Sequence, residues 1–485
     1  MHQPHASDGL WSRDRRSLTI GLILTITLVA FEALAVSTVM PQVARELGGI
    51  ELYGWVFSAF FLGSLIGIVV AGGAIDHRGL ALPFALGLGL FGMGLLVGGL
   101  ATSMPLLVVA RFVQGLGAGT IPPIAYVAIG RSLPETLRPR MFATMSTAWI
   151  LPGVLGPTIA ATIGQAFSWR FVFLGLLPLI ALAGALTLGA LRAVVAGPAK
   201  EDAEADASAA ARGRLPLAIQ VAAGAGLVTA GLTSGEPLPT VALIALGLPI
   251  GIHALRLLTP PGTLRARPIL PAAILLRGLL TFMFFGIDAF VPLALVEWRG
   301  VSLTEAGIAL TAATIVWTAG SWTQARGSIR WPSFRFVQAG FAVALVGLAG
   351  FMLVLRQDVH WLIAIPTFAV AGFGMGLAYS PTALIVLREA TPENQGSASS
   401  ALSLTDSLGT ALGTGVAGAI IAAGIRANGQ PVPGLAIAFA IALAVGLVGL
   451  LLTGRLRHRP PEERATSAAV APGGVDGPGA CGRLS

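Results

Sequence analysis

A single cysteine, Cys481, rules out a disulfide within the 485-residue chain and leaves no thiolate set for a metal. The six histidines are scattered and stand at no metal-ligand spacing, so neither a metal nor a cofactor is expected. Charge is scarce: Asp, Glu, Lys and Arg make up 11% of the chain, roughly half the share of a soluble domain. Lysine is almost missing, Lys200 being the sole one, a bias that points to a GC-rich bacterial genome. The net charge of +8 is not gathered into a patch, so no nucleic-acid partner is expected. No nucleophile–base set is evident either, and a membrane-bound enzyme or receptor is the remote reading.

What remains is apolar: 55% of the residues are hydrophobic, with 63 Gly and 31 Pro. The apolar runs are continuous over about 20 residues, the length of a membrane helix and twice that of a barrel strand. The expected fold class is therefore an all-α polytopic membrane protein, with the lipid bilayer as its first partner. The first run, 17–39, is too long for the apolar core of a cleaved signal and reads as a retained span.

Fourteen candidate spans follow one another from 17–39 to 433–454. They group into a cytoplasmic segment 1–16, six helices over 17–193, a polar linker 194–214, two helices over 215–257, six helices over 270–454 and a disordered tail 455–485. With alternating spans and a cytoplasmic N-terminus, the outside loops hold only Arg45, Arg170, Arg299, Arg356 and Arg426. Arg111 and Arg277 lie within spans, and every other basic residue falls inside, so both termini are expected in the cytoplasm.

The chain also repeats itself. Gly72, Asp76, Arg78 and Gly79 close span 2, and Gly320, Gln324, Arg326 and Gly327 close span 10 in the same pattern. Gly115, Gly117 and Gly119 of span 4 recur as Gly372, Gly374 and Gly376 of span 12. Two six-helix bundles with spans 7 and 8 inserted between them account for both matches, and such halves can rock about a central site.

On these residues the chain resembles the major facilitator superfamily, and within it the fourteen-helix drug:proton antiporters. Gly72, Asp76 and Gly79 match the superfamily's loop 2–3 motif, with Leu80 in place of its last basic residue and Arg78 nearby. The resemblance implies that this loop braces the two halves. Asp76 would then sit against the positive end of the helix entering after Gly396, a solvated loop charge being the alternative. Arg111, Gln114, Gly115 and Gly117 match the span-4 motif, for which the resemblance implies a part in proton coupling. A structural arginine bonding carbonyls, or one snorkelling to an interface, is the alternative. In the span-5 stretch that opens at Gly153, Gly156 and Pro157 match the end of the antiporter motif, where Ala160 and Ala161 replace its last two glycines. Pro157 is expected to bend that span, and small-residue packing without bearing on transport direction is the alternative. Span 1 carries Glu32 nine residues before Pro41 as the antiporters carry an acid, and Trp169, Arg170 and Pro178 resemble their entry to span 6.

Proton coupling needs a carboxyl that alternates between an apolar environment and a cationic one. Three acids lie well inside spans: Glu32, Asp288 and Asp406. Glu32 and Arg111 belong to the same half and are expected to pair or share a cavity. Asp288 is a second coupling or cation-binding acid, with a pair to Arg277 as its alternative. Asp406 lines the cavity or makes a structural hydrogen bond. Phe60, Phe61, Phe284, Phe285 and Trp317 are cavity aromatics or core packing. The resulting expectation is an alternating-access antiporter in a bacterial inner membrane, driven by protons and exporting small amphipathic or cationic compounds. A proton-coupled importer of a nutrient is the same-fold alternative, and the few polar groups in the spans favour the apolar substrate.

Overall fold

A run of apolar residues in lipid can satisfy its backbone only by bonding to itself, and every expected span is helical. The computed structural model describes residues 9–13, 15–48, 53–193, 203–234, 236–301 and 303–457. The first half comprises α1 (Arg16–Leu47), α2 (Tyr53–Arg78), α3 (Ala81–Gly99), α4 (Met104–Ser132), α5 (Arg138–Thr147), α6 (Ile150–Ala166), α7 (Arg170–Leu174) and α8 (Leu176–Ala193). Two inserted helices follow, α9 (Ala203–Thr233) and α10 (Pro237–Leu258). The second half comprises α11 (Leu270–Asp288), the single turn α12 (Val291–Leu293), α13 (Leu303–Gly327), α14 (Ser333–Phe351), α15 (Ala364–Glu389), α16 (Gln395–Asn428) and α17 (Val432–Leu452). Among the described residues, 11 stretches are long and apolar enough to cross a membrane, and α2 adds the shorter Ala59–Ile75. The pair α5–α6 and the helix α13 occupy the places of the two remaining expected spans.

Two boundaries differ from the sequence expectation. Span 5 is broken into α5 and α6 at Ala148–Trp149, while the helix runs through Pro157. The break precedes Pro152, which has no N–H to offer the Ala148 carbonyl. The Thr27 hydroxyl of α1 donates to that carbonyl instead, at 3.3 Å. The polar stretch expected as linker is helical from Ala203 onward, as the opening of α9. Segments 1–8, 194–202 and 458–485, parts of the expected N-terminal segment, linker and tail with Cys481 included, lie outside the described residues.

Glycine sets how closely the helices approach. A Cβ on Gly115 or Gly119 of α4 would strike the carbonyl oxygens of Phe60 or Ser64 on α2, and one on Gly117 would strike α3 at Gly87 and Phe91. The second half repeats this arrangement. Gly372 and Gly376 of α15 face the carbonyls of Ala313 and Trp317 on α13, and Gly374 faces Gly340 and Ala344 on α14. The packing corrects the alignment of the repeat. Gly67 on the Leu116 carbonyl is the counterpart of Gly320 on the Phe373 carbonyl, so Gly72 stands five residues beyond the frame common to both halves. Helix α2 runs four residues further past that frame than α13, about 6 Å, and Gly72 meets Ser400 and Gly396 of α16 in the other half.

The inserted pair is not peripheral to both bundles. Ala218, Val221, Ala222 and Ala225 of α9 form one core with Leu65, Ile68 and Val69 of α2 and Leu404 and Leu408 of α16. Helix α9 thereby covers the seam where the halves meet.

Candidate functional site

An ionised side chain in an apolar helix must find its opposite charge or a hydrogen-bonded substitute. Glu32 of α1 is 0% exposed and Arg111 of α4 is 3% exposed. Arg111 Nη1 donates to Glu32 Oε1 at 2.5 Å and to Gln114 Oε1 at 2.6 Å. Its Nε donates to the Val56 carbonyl of α2 at 3.3 Å, and its guanidinium lies 4.4 Å from the Phe60 ring centre. The expected pair is therefore formed, and the motif glutamine one turn along the helix is part of it. Snorkelling of Arg111 is excluded by its burial. Glu32 Oε2 and Gln114 Nε2 are buried with no protein partner, so the carboxyl keeps one oxygen that neither bonds nor meets bulk water.

A second buried cluster lies in the other half. Arg277 of α11, 0% exposed, donates through Nε to Thr382 Oγ1 at 2.8 Å and through Nη2 to the Tyr379 carbonyl at 2.5 Å. Its guanidinium stacks on the Tyr379 ring, 3.6 Å from the centre. The Tyr379 hydroxyl donates to Asp406 Oδ2 at 2.8 Å, and Arg277 Nη1 stands 3.8 Å from Asp406 Oδ1. Asp406 is therefore hydrogen-bonded, as its structural reading expects, and its side chain is 24% exposed. Tyr126 of α4 is buried against this cluster from the first half. Reading the acids one at a time did not join Arg277 to Asp406. A usable signal was present: only three tyrosines occur, and Tyr126 and Tyr379 both lie deep within apolar spans.

Asp288 is half-buried at the end of α11, and no hydrogen bond or ion pair is described for it. Its alternative pairing to Arg277 is not made, because that arginine turns to α15 and α16. Phe284 packs edge-on to Phe285 and Trp317 and stacks on Phe368 at 5.4 Å. These rings are core packing on at least one side.

The motif residues gather where the halves touch. Gly72 abuts Ser400, whose hydroxyl donates to the Ile68 carbonyl at 2.6 Å. Gly79 has φ +71°, a backbone that only glycine adopts without strain, and Arg78 is exposed beside it. The side chains of Asp76 and Pro157 lie outside the described residues, and so does the expected contact of Asp76 with α16. Gly156 is buried, and a Cβ on Gly153 would lie 4.0 Å from Thr314 of α13. Further contacts close this end. Glu135 pairs with Arg388, Arg131 donates to the Pro392 carbonyl at 3.2 Å, and Trp322 donates to Thr147 Oγ1 at 3.0 Å. Ser321 and Ser146 share a hydrogen bond at 3.1 Å, and Arg214 of α9 donates to Ser397 Oγ at 2.8 Å. The described hydrogen bonds between the two halves all lie toward the face that carries the α4–α5 and α15–α16 loops.

Two repeated helical halves around buried ionisable groups, joined by polar contacts at one face, define a multi-pass membrane transporter. The family model of the Major Facilitator Superfamily matches residues 22–414, and the chain belongs to that superfamily. A probable multidrug-efflux transporter of Mycobacterium tuberculosis is 26% identical over 438 residues, covering 87% of this chain and 91% of that one. The methylenomycin A resistance protein of Streptomyces coelicolor is 26% identical over 465 residues, 94% of each chain. Among solved structures, a proton:xylose symporter superposes with a TM-score of 0.65 at 14% identity, covering 91% of this chain and 95% of its own. The human organic anion transporter MFSD10 gives the same TM-score at 15% identity, covering 90% and 99%. These two likenesses show the fold.

Proposed function

We propose that the chain is a small-molecule:proton antiporter that exports amphipathic or cationic compounds by alternating access. The observation that carries this reading is the Glu32–Arg111–Gln114 network, a carboxyl held in an apolar core by one guanidinium and one amide. The geometry offers such a carboxyl two arrangements. As a carboxylate it is held by Arg111, and once protonated on the unbonded Oε2 it is a neutral acid that suits an apolar wall. Arg111 then keeps Gln114 and the Val56 carbonyl as partners. Movement of α1 against α4 between these states links proton loading to the rocking of the halves. Asp288 and Asp406 serve as further ionisable groups on the second half.

The two halves correspond to 17–193 and 270–454, with 215–257 inserted. The segregation of basic residues supports a bacterial inner-membrane protein with both termini, and the face carrying the α4–α5 and α15–α16 loops, in the cytoplasm. In that orientation the conformer is closed toward the cytoplasm. The drug-efflux and resistance names of the relatives support the outward direction.

The test uses purified protein in liposomes enclosing a pH-sensitive dye, with an imposed proton gradient and a panel of lipophilic cations. Protons moving against the compound establish antiport. Protons moving with it overturn the outward direction and make the protein a symporter.

A further inference from the structure

Helix α16 opens at the loop-bearing face with Gln395 and passes Ser399 and Ser403 before reaching Asp406. The spacing of four, four and three residues puts these side chains on one stripe of the helix. Gln395, Ser399 and Ser403 are 8%, 1% and 3% exposed. Gln395 Oε1, Ser399 Oγ, Ser403 Oγ and Asp406 Oδ1 are each buried without a protein hydrogen-bond partner. Other hydroxyls of the same helix behave differently. Thr405, Thr410 and Thr414 bond carbonyls near one turn back, and Ser400 bonds across to Ile68. The two ends of the stripe are placed by their neighbours: Asp406 meets Tyr379 of α15, and a Cβ on Gly130 of α4 would lie 3.5 Å from the Gln395 amide nitrogen and 3.0 Å from Leu387 of α15.

Buried polar groups in native proteins are paired, and where protein supplies no partner, ordered water does. One turn of helix separates each atom of this stripe from the next, roughly 5–6 Å, which two hydrogen bonds through one water span. At the deep end, Arg277 Nη1 is likewise unpartnered and stands 3.8 Å from Asp406 Oδ1, a gap suited to the same bridging.

We infer that Gln395, Ser399, Ser403 and Asp406 line a buried file of waters along α16, which carries the proton released by Asp406 to the loop-bearing face. The Asp406 acid gives its O–H proton to the first water, each water passes one proton onward, and one proton leaves beside Gln395. The carboxylate left behind is held by Arg277 and the Tyr379 hydroxyl. The charged and titratable groups facing it are Arg277 from α11, Tyr379 from α15 and Tyr126 from α4. Such a file lets a proton leave on this side while the halves stay closed to anything larger. The inference rests on the proposed proton coupling.

The experiment compares wild type with a Ser399→Val, Ser403→Val protein and a Ser399→Thr, Ser403→Thr protein in liposomes, using tetraphenylphosphonium as the probe. The valines fill the file and remove its hydroxyls, whereas the threonines keep them. Expected are unchanged probe binding, proton flux lowered ~10-fold or more in the valine protein, and recovery in the threonine protein. Unchanged flux in the valine protein, or an equal loss in both, overturns the inference. Radiolytic labelling of unsubstituted protein in heavy-oxygen water needs no variant to fold. Tyr126 and Leu387, both buried, should label as fast as exposed residues, and protection of both overturns the file. A wild type that moves no protons with the probe or any other lipophilic cation overturns the proposed function and the file's proton cargo, and the labelling then reports on the waters alone.

Discussion

Arg111 Nη1 reaches Glu32 Oε1 at 2.5 Å across 79 positions of sequence, and neither side chain is more than 4% exposed. Removing one member of a buried ion pair leaves the other charge uncompensated, at a cost of about 3–5 kcal/mol. Arg111→Ala and Glu32→Ala should therefore each lower the thermal midpoint in detergent far more than Glu32→Gln, whose amide still accepts from the guanidinium. Midpoints equal to wild type for all three would show that the pair carries no structural energy.

Arg111 uses Nε for the Val56 carbonyl and Nη1 for two side chains. A lysine ammonium cannot reproduce that fork. Arg111→Lys is expected to fold and insert but to lose most coupled transport, measured as dye-reported proton flux. Full flux would reduce Arg111 to a simple point charge.

The helix contacts at glycine make a sharper stability prediction. Alanine at Gly115 or Gly372 strikes a carbonyl of the facing helix, and overpacking of this kind costs about 1–3 kcal/mol. Alanine at Gly89, which has nothing within 4 Å, should be neutral or slightly stabilising. Thermal melts of the three variants separate these outcomes.

Glu46, at the end of α1 past its apolar stretch, pairs with Arg170 and accepts from Trp169 Nε1 at 2.8 Å. The Arg170 hydrogen bond holds its carboxyl below the ordinary value of 4.5, against the opposing effect of burial. A depressed folded pKa adds stability above the unfolded value and loses it as pH falls through the folded one. The difference in midpoint between wild type and Glu46→Gln should be present at neutral pH and close as pH drops below 4.5. The pair is partly exposed, so the effect should be small.

Much of this was legible in the sequence, for physical reasons that differ by residue. Glu32 and Arg111 announced themselves because an ion in an apolar run needs a partner, and their two spans share a half. The glycine triplet was legible as a repeat, but its register was not. The Gly72 and Gly320 patterns match at helix ends, whereas packing is fixed where Gly67 and Gly320 meet carbonyls. The break of span 5 follows Pro152 and not Pro157, since what decides it is which carbonyl loses its donor and whether Thr27 can replace it. Arg277 and Asp406 were each visible as ionisable residues. Their union depends on α11, α15 and α16 meeting, which no local pattern encodes.

A conformational prediction follows from the contacts at the loop-bearing face. Thr147 and Trp322 meet at 3.0 Å across the halves. Thr147→Cys with Trp322→Cys, in a Cys481→Ser background, should abolish transport when joined by a short bifunctional thiol reagent and leave it intact when unjoined. Transport by the joined protein would mean that this contact never opens.

The central proposal is that proton-driven transport requires the Glu32 carboxyl. Its most direct measurement is uphill transport of a lipophilic cation into inverted vesicles under an imposed proton gradient, wild type against Glu32→Gln, at matched protein levels. Loss of uphill transport in the variant with cation binding retained is the predicted result. Uphill transport at the wild-type rate would contradict the account.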